Sequence, residues 1–192
     1  MPDNGIPAPI YGISNVNGQE SITVQVPFET APGAATVVIN APGGGTTTIN
    51  NVPVDQFSPG VFETNFGVPN GQKYAVVIRA SDGSYITPTN PAHPGETDCL
   101  FATGLGQVSP GAVTNSSGLP NQNVLAPLDI GINNAGIRLV SATYVPGIVG
   151  VYEVCFQIPA GTAMGSLQPI GLIAHDSVGN SIFAQGTFIP IQ

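Results

Sequence analysis

Two stretches of this chain read as copies of one another, and no other feature of the sequence constrains its fold as strongly. Residues 22–33 run ITVQVPFETAPG and residues 154–165 run VCFQIPAGTAMG, so Gln25, Pro27 and Gly33 fall on Gln157, Pro159 and Gly165 at a single offset. The match extends backwards with a one-residue slip, from Gly5-Ile6 to Gly136-Ile137. Solenoid repeats recur every 20–50 residues or so, and a period well beyond that means tandem domains. Residues 94–133 precede the second copy and have no counterpart before Gly5, so the first unit is expected to lack its opening strands.

At 192 residues the chain accommodates two β-sandwich units of roughly 100 residues each. Its 25 Gly and 19 Pro punctuate short runs rich in Val, Ile, Leu and Phe, which points to an all-β fold with many turns rather than to disorder. Lys73, Arg79 and Arg138 are the only basic residues against eleven acidic ones, for a net charge of −8. Phosphate recognition needs clustered Lys and Arg, so nucleic acid and anionic membrane surfaces are excluded as partners. No apolar run approaches the roughly 20 residues that span a bilayer. Thr46-Thr47-Thr48 and Asn115-Ser116-Ser117 typify a neutral polar surface suited to an exported β-protein. Met1-Pro2-Asp3-Asn4 is not the opening of a signal peptide, so the expectation is a removed leader or an excised piece, and the missing strands favour the piece.

Period-two alternation bounded by Gly and Pro predicts strands over 21–26, 35–40 and 46–54, after a Pro-broken extended segment at 6–13. Residues 74–80 and 85–87 flank Asp82-Gly83, a strong hairpin signal. Further strands are predicted over 97–103, 128–132, 137–144, 150–158, 168–175 and 182–189, enough for an immunoglobulin-like sandwich in the second unit. The expected division is an incomplete first unit over 1–57, a connecting hairpin and linker over 58–92, and a complete sandwich over 93–192.

Pro7-Ala8-Pro9-Ile10, ITVQVPF at 22–28, SPGVF at 58–62, Asn90-Pro91-Ala92, Pro94-Gly95-Glu96 and FATGLG at 101–106 occur in this order, followed by residues 146–157 and Pro159-Ala160-Gly161. Together they resemble the Solibacter-type uncharacterised C-terminal domain family of acidobacterial exported proteins, across nearly the whole chain. The resemblance implies an immunoglobulin-like, TIG-type sandwich at the C-terminus of large secreted or surface proteins, with no established activity. Asp98-Cys99 and Cys155 depart from the family pattern. Alternation places both thiols on the outward faces of their strands. In an immunoglobulin-like sheet these strands can be neighbours, so a Cys99–Cys155 bridge is expected within the second unit, the alternative being two separate thiols. Such a bridge would belong to an oxidising compartment.

Other candidate chemistry has a plainer reading. His175-Asp176 face opposite ways on a strand and cannot form a triad. His93 sits in a proline-rigid linker, and two histidines this far apart have no zinc spacing. Neither cysteine has a CxxC neighbour. The segment 176–180 carries one carboxylate where calcium sites collect several oxygens, and Gly43-Gly44-Gly45 lacks the Lys and helix of a phosphate cradle. With no Trp, and Tyr11, Tyr74, Tyr85, Tyr144 and Tyr152 at strand positions, a glycan platform is a minor alternative.

The sequence thus predicts a non-catalytic, extracellular structural or adhesive module of a larger surface protein, with no cofactor or metal, whose partners are other domains of that protein or identical chains. A second expectation is a fibre subunit completed by strand exchange, with Ile6, Pro7, Ala8, Pro9 and Ile10 as the assembly segment unless residues 2–13 fold back.

Overall fold

The computed structural model describes residues 5–192 and contains strands, turns and bends but no helix among them. The Met1–Asn4 opening, and with it the start of the 2–13 segment, lies outside the described residues. Chain contacts divide the described residues into two compact units, the first ending at Gln56 and the second covering Phe57–Gln192.

The first unit consists of two hairpins. Strand β1 (Ile10–Val16) pairs antiparallel with β2 (Gln19–Val24), and β3 (Gly33–Asn40) with β4 (Thr46–Val54). Each pair is a separate two-stranded sheet. Between β1 and β2 lies Asn17-Gly18, both with positive φ of 53° and 83°, the dipeptide that a tight type I′ hairpin requires. The β1–β2 turn has this signal, which the sequence reading passed over in favour of Asp82-Gly83. Of the assembly segment, Ile10 opens β1 opposite Val24, and the Pro9 carbonyl accepts a hydrogen bond from the Gln25 amide at 3.0 Å. Ile6 lies in exposed non-strand chain, as do Pro7 and Ala8.

The second unit carries β5 (Gly60–Val61), β6 (Glu63–Thr64), β7 (Tyr74–Ala75), β8 (Val77–Arg79), β9 (Thr97–Thr103), β10 (Val108–Ser109), β11 (Asn123–Val124), β12 (Leu128–Ile132), β13 (Ala135–Tyr144), β14 (Tyr152–Gln157), β15 (Gly165–His175), β16 (Ser181–Phe183) and β17 (Thr187–Ile191). The main path runs β16-β15-β12-β13-β14-β9-β5, every neighbour antiparallel. Strand β13 serves three neighbours: residues 135–137 pair with β12, residues beyond them pair with β14 through a bulge between Leu139 and Ser141, and Thr143 also pairs with Asn123 of β11. A bulge bends its strand, which suits a sheet that must fold over a core.

Alternation decides what is inside. Along β14, Tyr152, Val154 and Phe156 are buried while Glu153, Cys155 and Gln157 are half-buried; along β12, Leu128, Ile130 and Ile132 are buried. With Leu100, Leu105, Ile158, Leu172 and Ile189 these side chains form the core, each contributing roughly 1.5–3 kcal/mol by its removal from water. The arrangement is consistent with a β-sandwich. Tyr144 and Tyr152, paired across β13 and β14, are buried with ring centroids 5.1 Å apart. Their phenols are used, Tyr152 donating to the Gly106 carbonyl and Tyr144 accepting from the Gly150 amide.

Residues 58–92, expected as a connecting hairpin and linker, supply β5 and β8, which lie end to end along one edge of β9. The strand expected over 182–189 is two strands. Ile173 faces Phe183 and Ile170 faces Thr187, so three residues, 184–186, answer two on β15 and the run must break. Residues 85–87 form isolated bridges, Ile78 with Tyr85 and Thr87 with Asn90.

Candidate functional site

Strand β9 pairs with β14 on one side and with β5 and β8 on the other, and several chemistry-bearing side chains gather on it. Two of the family-like motifs meet here. The Ser58 amide donates to the Gly104 carbonyl at 2.9 Å, and the Phe62 amide to Phe101 at 3.0 Å, so SPGVF is the edge partner of FATGLG. Gly104 has φ +72°, and a Cβ there would overlap the Ser58 carbonyl oxygen. Only glycine satisfies both demands.

Cys99 on β9 stands directly opposite Cys155 on β14, with Cα atoms 3.9 Å apart, and their sulfurs are bonded, spanning 56 residues of chain. They belong to a row that crosses four strands: Ile78, Cys99, Cys155, Ser141. The outward direction of both thiols was legible, but Cys99 is only 4% exposed. Outward is not solvent-facing here, because Ile78 on β8 flanks it on one side and Cys155 on the other. Glu153 lies with the two sulfurs, all ligand atoms within 4.8 Å. The sulfurs are spent on each other, so no thiolate is left for a metal.

At the start of β9 is a charged cluster that the sequence reading missed. Arg79 on β8 is paired across from Asp98. Its guanidinium donates to Glu96 Oε2 at 3.0 Å, to Ser84 Oγ at 2.9 Å, to Asn90 Oδ1 at 3.4 Å and to the Pro91 carbonyl at 2.8 Å. Glu96 Oε1 accepts from the His93 amide at 2.7 Å, and Glu96 Oε2 lies 3.5 Å from His93 Nδ1. One guanidinium therefore ties the Asp82-Gly83 hairpin, the Asn90-Pro91 bend and Glu96 into a single clasp, and His93 is its outer member rather than a spacer. The hydrogen bond with Glu96, ahead of the opposing effect of burial, raises the affinity of Arg79 for its proton.

Asp98 shares the inward face of β9 with Leu100 and Ala102 and is fully buried. Neither of its carboxyl oxygens meets a donor. Burial first, then the negative charge of Glu96, pushes its pKa up to about 7 against the pull of Arg79; a hydrogen bond to Glu96, which only the protonated acid can donate, adds to the rise. The signal in the sequence was an aspartate at an inward position of a periodic strand.

His175 does find a carboxylate, though not its neighbour Asp176. Its Nε2 lies 2.9 Å from Asp129 Oδ2 on β12, and its Nδ1 3.2 Å from Ser181 Oγ on β16. Three side chains of Ser-His-Asp type are thus in a line, but Asp129 is 70% exposed and Ser181 is exposed too. Triad chemistry depends on a buried, orienting aspartate, and this row is cross-strand pairing on a wet sheet face. Asp176 instead closes its own turn, accepting from the Val178 and Asn180 amides and from Asn180 Nδ2; these hydrogen bonds hold its pKa below the usual range although partial burial opposes them. Of the tyrosines, Tyr74, Tyr144 and Tyr152 are buried, while Tyr11 and Tyr85 are exposed.

Comparison of the chain with family models, with curated proteins and with solved structures finds no match to any of them.

Proposed function

We propose that the chain is a non-catalytic structural or adhesive module of an exported surface protein, its second unit an immunoglobulin-like sandwich and its first a partial copy of the same design. The observation that carries the reading is the Cys99–Cys155 bond across the paired strands β9 and β14. Such a bond persists where the environment is oxidising and is rare in the cytosol. The neutral polar surface, the net charge of −8 and the ordered motifs that resemble those of the Solibacter-type domain family suit the same setting. A side-chain row of Ser-His-Asp type on an open sheet face offers no cleft in which to exclude water from a substrate, so scaffolding rather than turnover is what this architecture suits.

The test is to export the chain to a bacterial periplasm and titrate its thiols under denaturing conditions, then measure mass and melting temperature across a hundred-fold range of concentration. The reading expects no free thiol, and a monomer whose melting temperature is independent of concentration. Two free thiols, or hydrolysis of ester or glycoside probes lost on Ser181→Ala, would overturn it. Self-assembly is the second reading, favoured by the exposed apolar side chains of the first unit, and a concentration-dependent mass would select it.

A further inference from the structure

One guanidinium serves two carboxylates at the start of β9. Directly opposed residues on antiparallel strands project to the same face, so Arg79, the register partner of Asp98, shares its face. Glu96 precedes Asp98 by two positions, and the ladder to β14 continues through the Ile158 amide, which donates to the Glu96 carbonyl at 3.0 Å, so Glu96 takes that face as well. The Arg79 donors are spent on Glu96, Ser84, Asn90 and the Pro91 carbonyl, while both oxygens of the fully buried Asp98 carboxyl are left without a donor.

An ionised carboxylate removed from water and given no donor is far costlier than a neutral acid in the same place. The clasp as it stands is therefore the arrangement of a protonated Asp98, whose hydroxyl donates to Glu96 and leaves the charge of Glu96 to Arg79. Loss of the proton removes that donor and sets two like charges two positions apart on one strand. Of the two, Glu96 still reaches solvent, so Asp98 has the greater need of the guanidinium. The charges that act on Asp98 are those of Glu96 and Arg79. Its register partner on β14 is Phe156, and the buried residues of β12, β15 and β17 are uncharged. Asp82 acts on Arg79, and His93 on Glu96, both from the exposed side of the clasp.

We propose that these residues form a pH-operated latch: when Asp98 gives its proton to solvent, the Arg79 guanidinium turns from Glu96 to Asp98 and lets go of Ser84, Asn90 and the Pro91 carbonyl. The loosening is bounded on both sides. Ile86 is buried with its amide on the Val77 carbonyl at 2.9 Å, and Ala92 is held by its amide on Pro190 at 2.9 Å and by the Gln192 amide on its carbonyl at 2.8 Å. What moves is the Asp82-Gly83 tip and the bend at 87–91. Burial and Glu96 raise the Asp98 pKa to about 7, so the shut form is favoured below neutrality and lost as pH rises through it. The segment is thus closed in mildly acidic surroundings and loose in mildly alkaline ones.

Amide exchange of the full chain at pH 6 and pH 8.5, expressed as protection factors so that the intrinsic pH dependence drops out, reads the latch. The amides of Thr87 and Asn90 donate to each other's carbonyls at 3.0 Å, and their protection should fall about ten-fold or more between the two pH values. Protection of Ala41, whose amide donates to Gly45 in the first unit, should hold over the same range. Asp98→Asn keeps a donor toward Glu96 at every pH and should hold the pH 6 protection throughout, whereas His93→Ala should leave the fall in place. In the wild type, with no substitution to disturb the fold, the carbon-13 carboxyl signal of Asp98 and the Nε–H signal of Arg79 should move with one midpoint near pH 7. Protection that stays level with pH, a fall that survives Asp98→Asn or vanishes with His93→Ala, or an Arg79 signal that does not follow Asp98 would overturn the proposal.

Discussion

Asp98→Asn keeps the size of the side chain and removes a fully buried carboxyl whose oxygens accept no hydrogen bond. The folded-state pKa of Asp98 is about 7, above the 3.8 of an unperturbed aspartate. A carboxyl shifted upward is uncharged in the folded state over that interval, so its contribution to stability is greatest below the unfolded pKa. That contribution declines as pH climbs from about 4 to about 7, where the folded protein must bury the charge. About three pKa units at roughly 1.4 kcal/mol each amount to about 4 kcal/mol between the two limits. Relaxation around the buried charge makes about 2–4 kcal/mol the expected span. Urea unfolding of wild type and Asp98→Asn at half-unit steps from pH 4 to pH 8 reads the difference directly. The variant should be level with wild type at pH 4 and more stable by about 2–4 kcal/mol at pH 8. Asp82 and Asp176, whose pKa values are lowered, act in the opposite direction, gaining stability as pH rises through the carboxylate range, and they cancel in the difference. A difference that stays flat with pH, or a variant less stable at pH 8, would refute the reasoning that Asp98 is buried as an acid.

Reducing the Cys99–Cys155 bond opens a loop of 56 residues, which the chain-entropy model values at roughly 4 kcal/mol, and the unfolding midpoint of the second unit should fall accordingly in dithiothreitol. A midpoint unmoved by reductant would show that the bond constrains nothing. Gly104→Ala should cost about 2 kcal/mol or more, because a side chain at φ +72° is strained and its Cβ meets the Ser58 backbone; wild-type stability in chemical denaturation would contradict the pairing of β5 with β9. Arg79→Met removes the donor from Glu96, Ser84, Asn90 and Pro91 at once and should destabilise by about 3 kcal/mol, with protease sensitivity appearing within residues 80–92. An uncut loop would mean that the clasp is held by something else.

Strands with clean alternation between turn residues were legible at their true bounds: Thr46–Val54, Thr97–Thr103 and Leu128–Ile132. Pairing was less so, since which edge a short strand joins is set by tertiary contacts rather than by its own pattern. Residues 58–92 read as a connecting hairpin and linker because β5 is too short to alternate and the 74–80 strand carries no sign of which edge it joins, yet β9 needs β5 and β8 to complete its edge. Cys99 read as outward by alternation, yet it is buried, because periodicity carries no information on what a flanking strand covers. Asp98 stood at an inward position of its strand, but the Arg79 clasp was invisible for a related reason: a lone charge on a strand reads as surface until its partners, seventeen residues away in the case of Arg79 and Glu96, are brought beside it. Tyr144 and Tyr152 read as packing residues, and they are. His175 and Asp176 read as facing opposite ways and do not meet, while the cross-strand neighbours Asp129 and Ser181, which His175 does meet, could not be found from sequence neighbours.

Residue-resolved hydrogen exchange of the full chain, alone and at low concentration, tests most directly the claim that one unit is closed and the other open. Amides of β9, β12, β14 and β15 should exchange only through global unfolding, while those of β1–β4 should exchange orders of magnitude faster through local opening. Equal protection of Ile22, Val37 and Leu172 would contradict the account, since a ribbon whose apolar face remains in water cannot resist opening as a buried strand does.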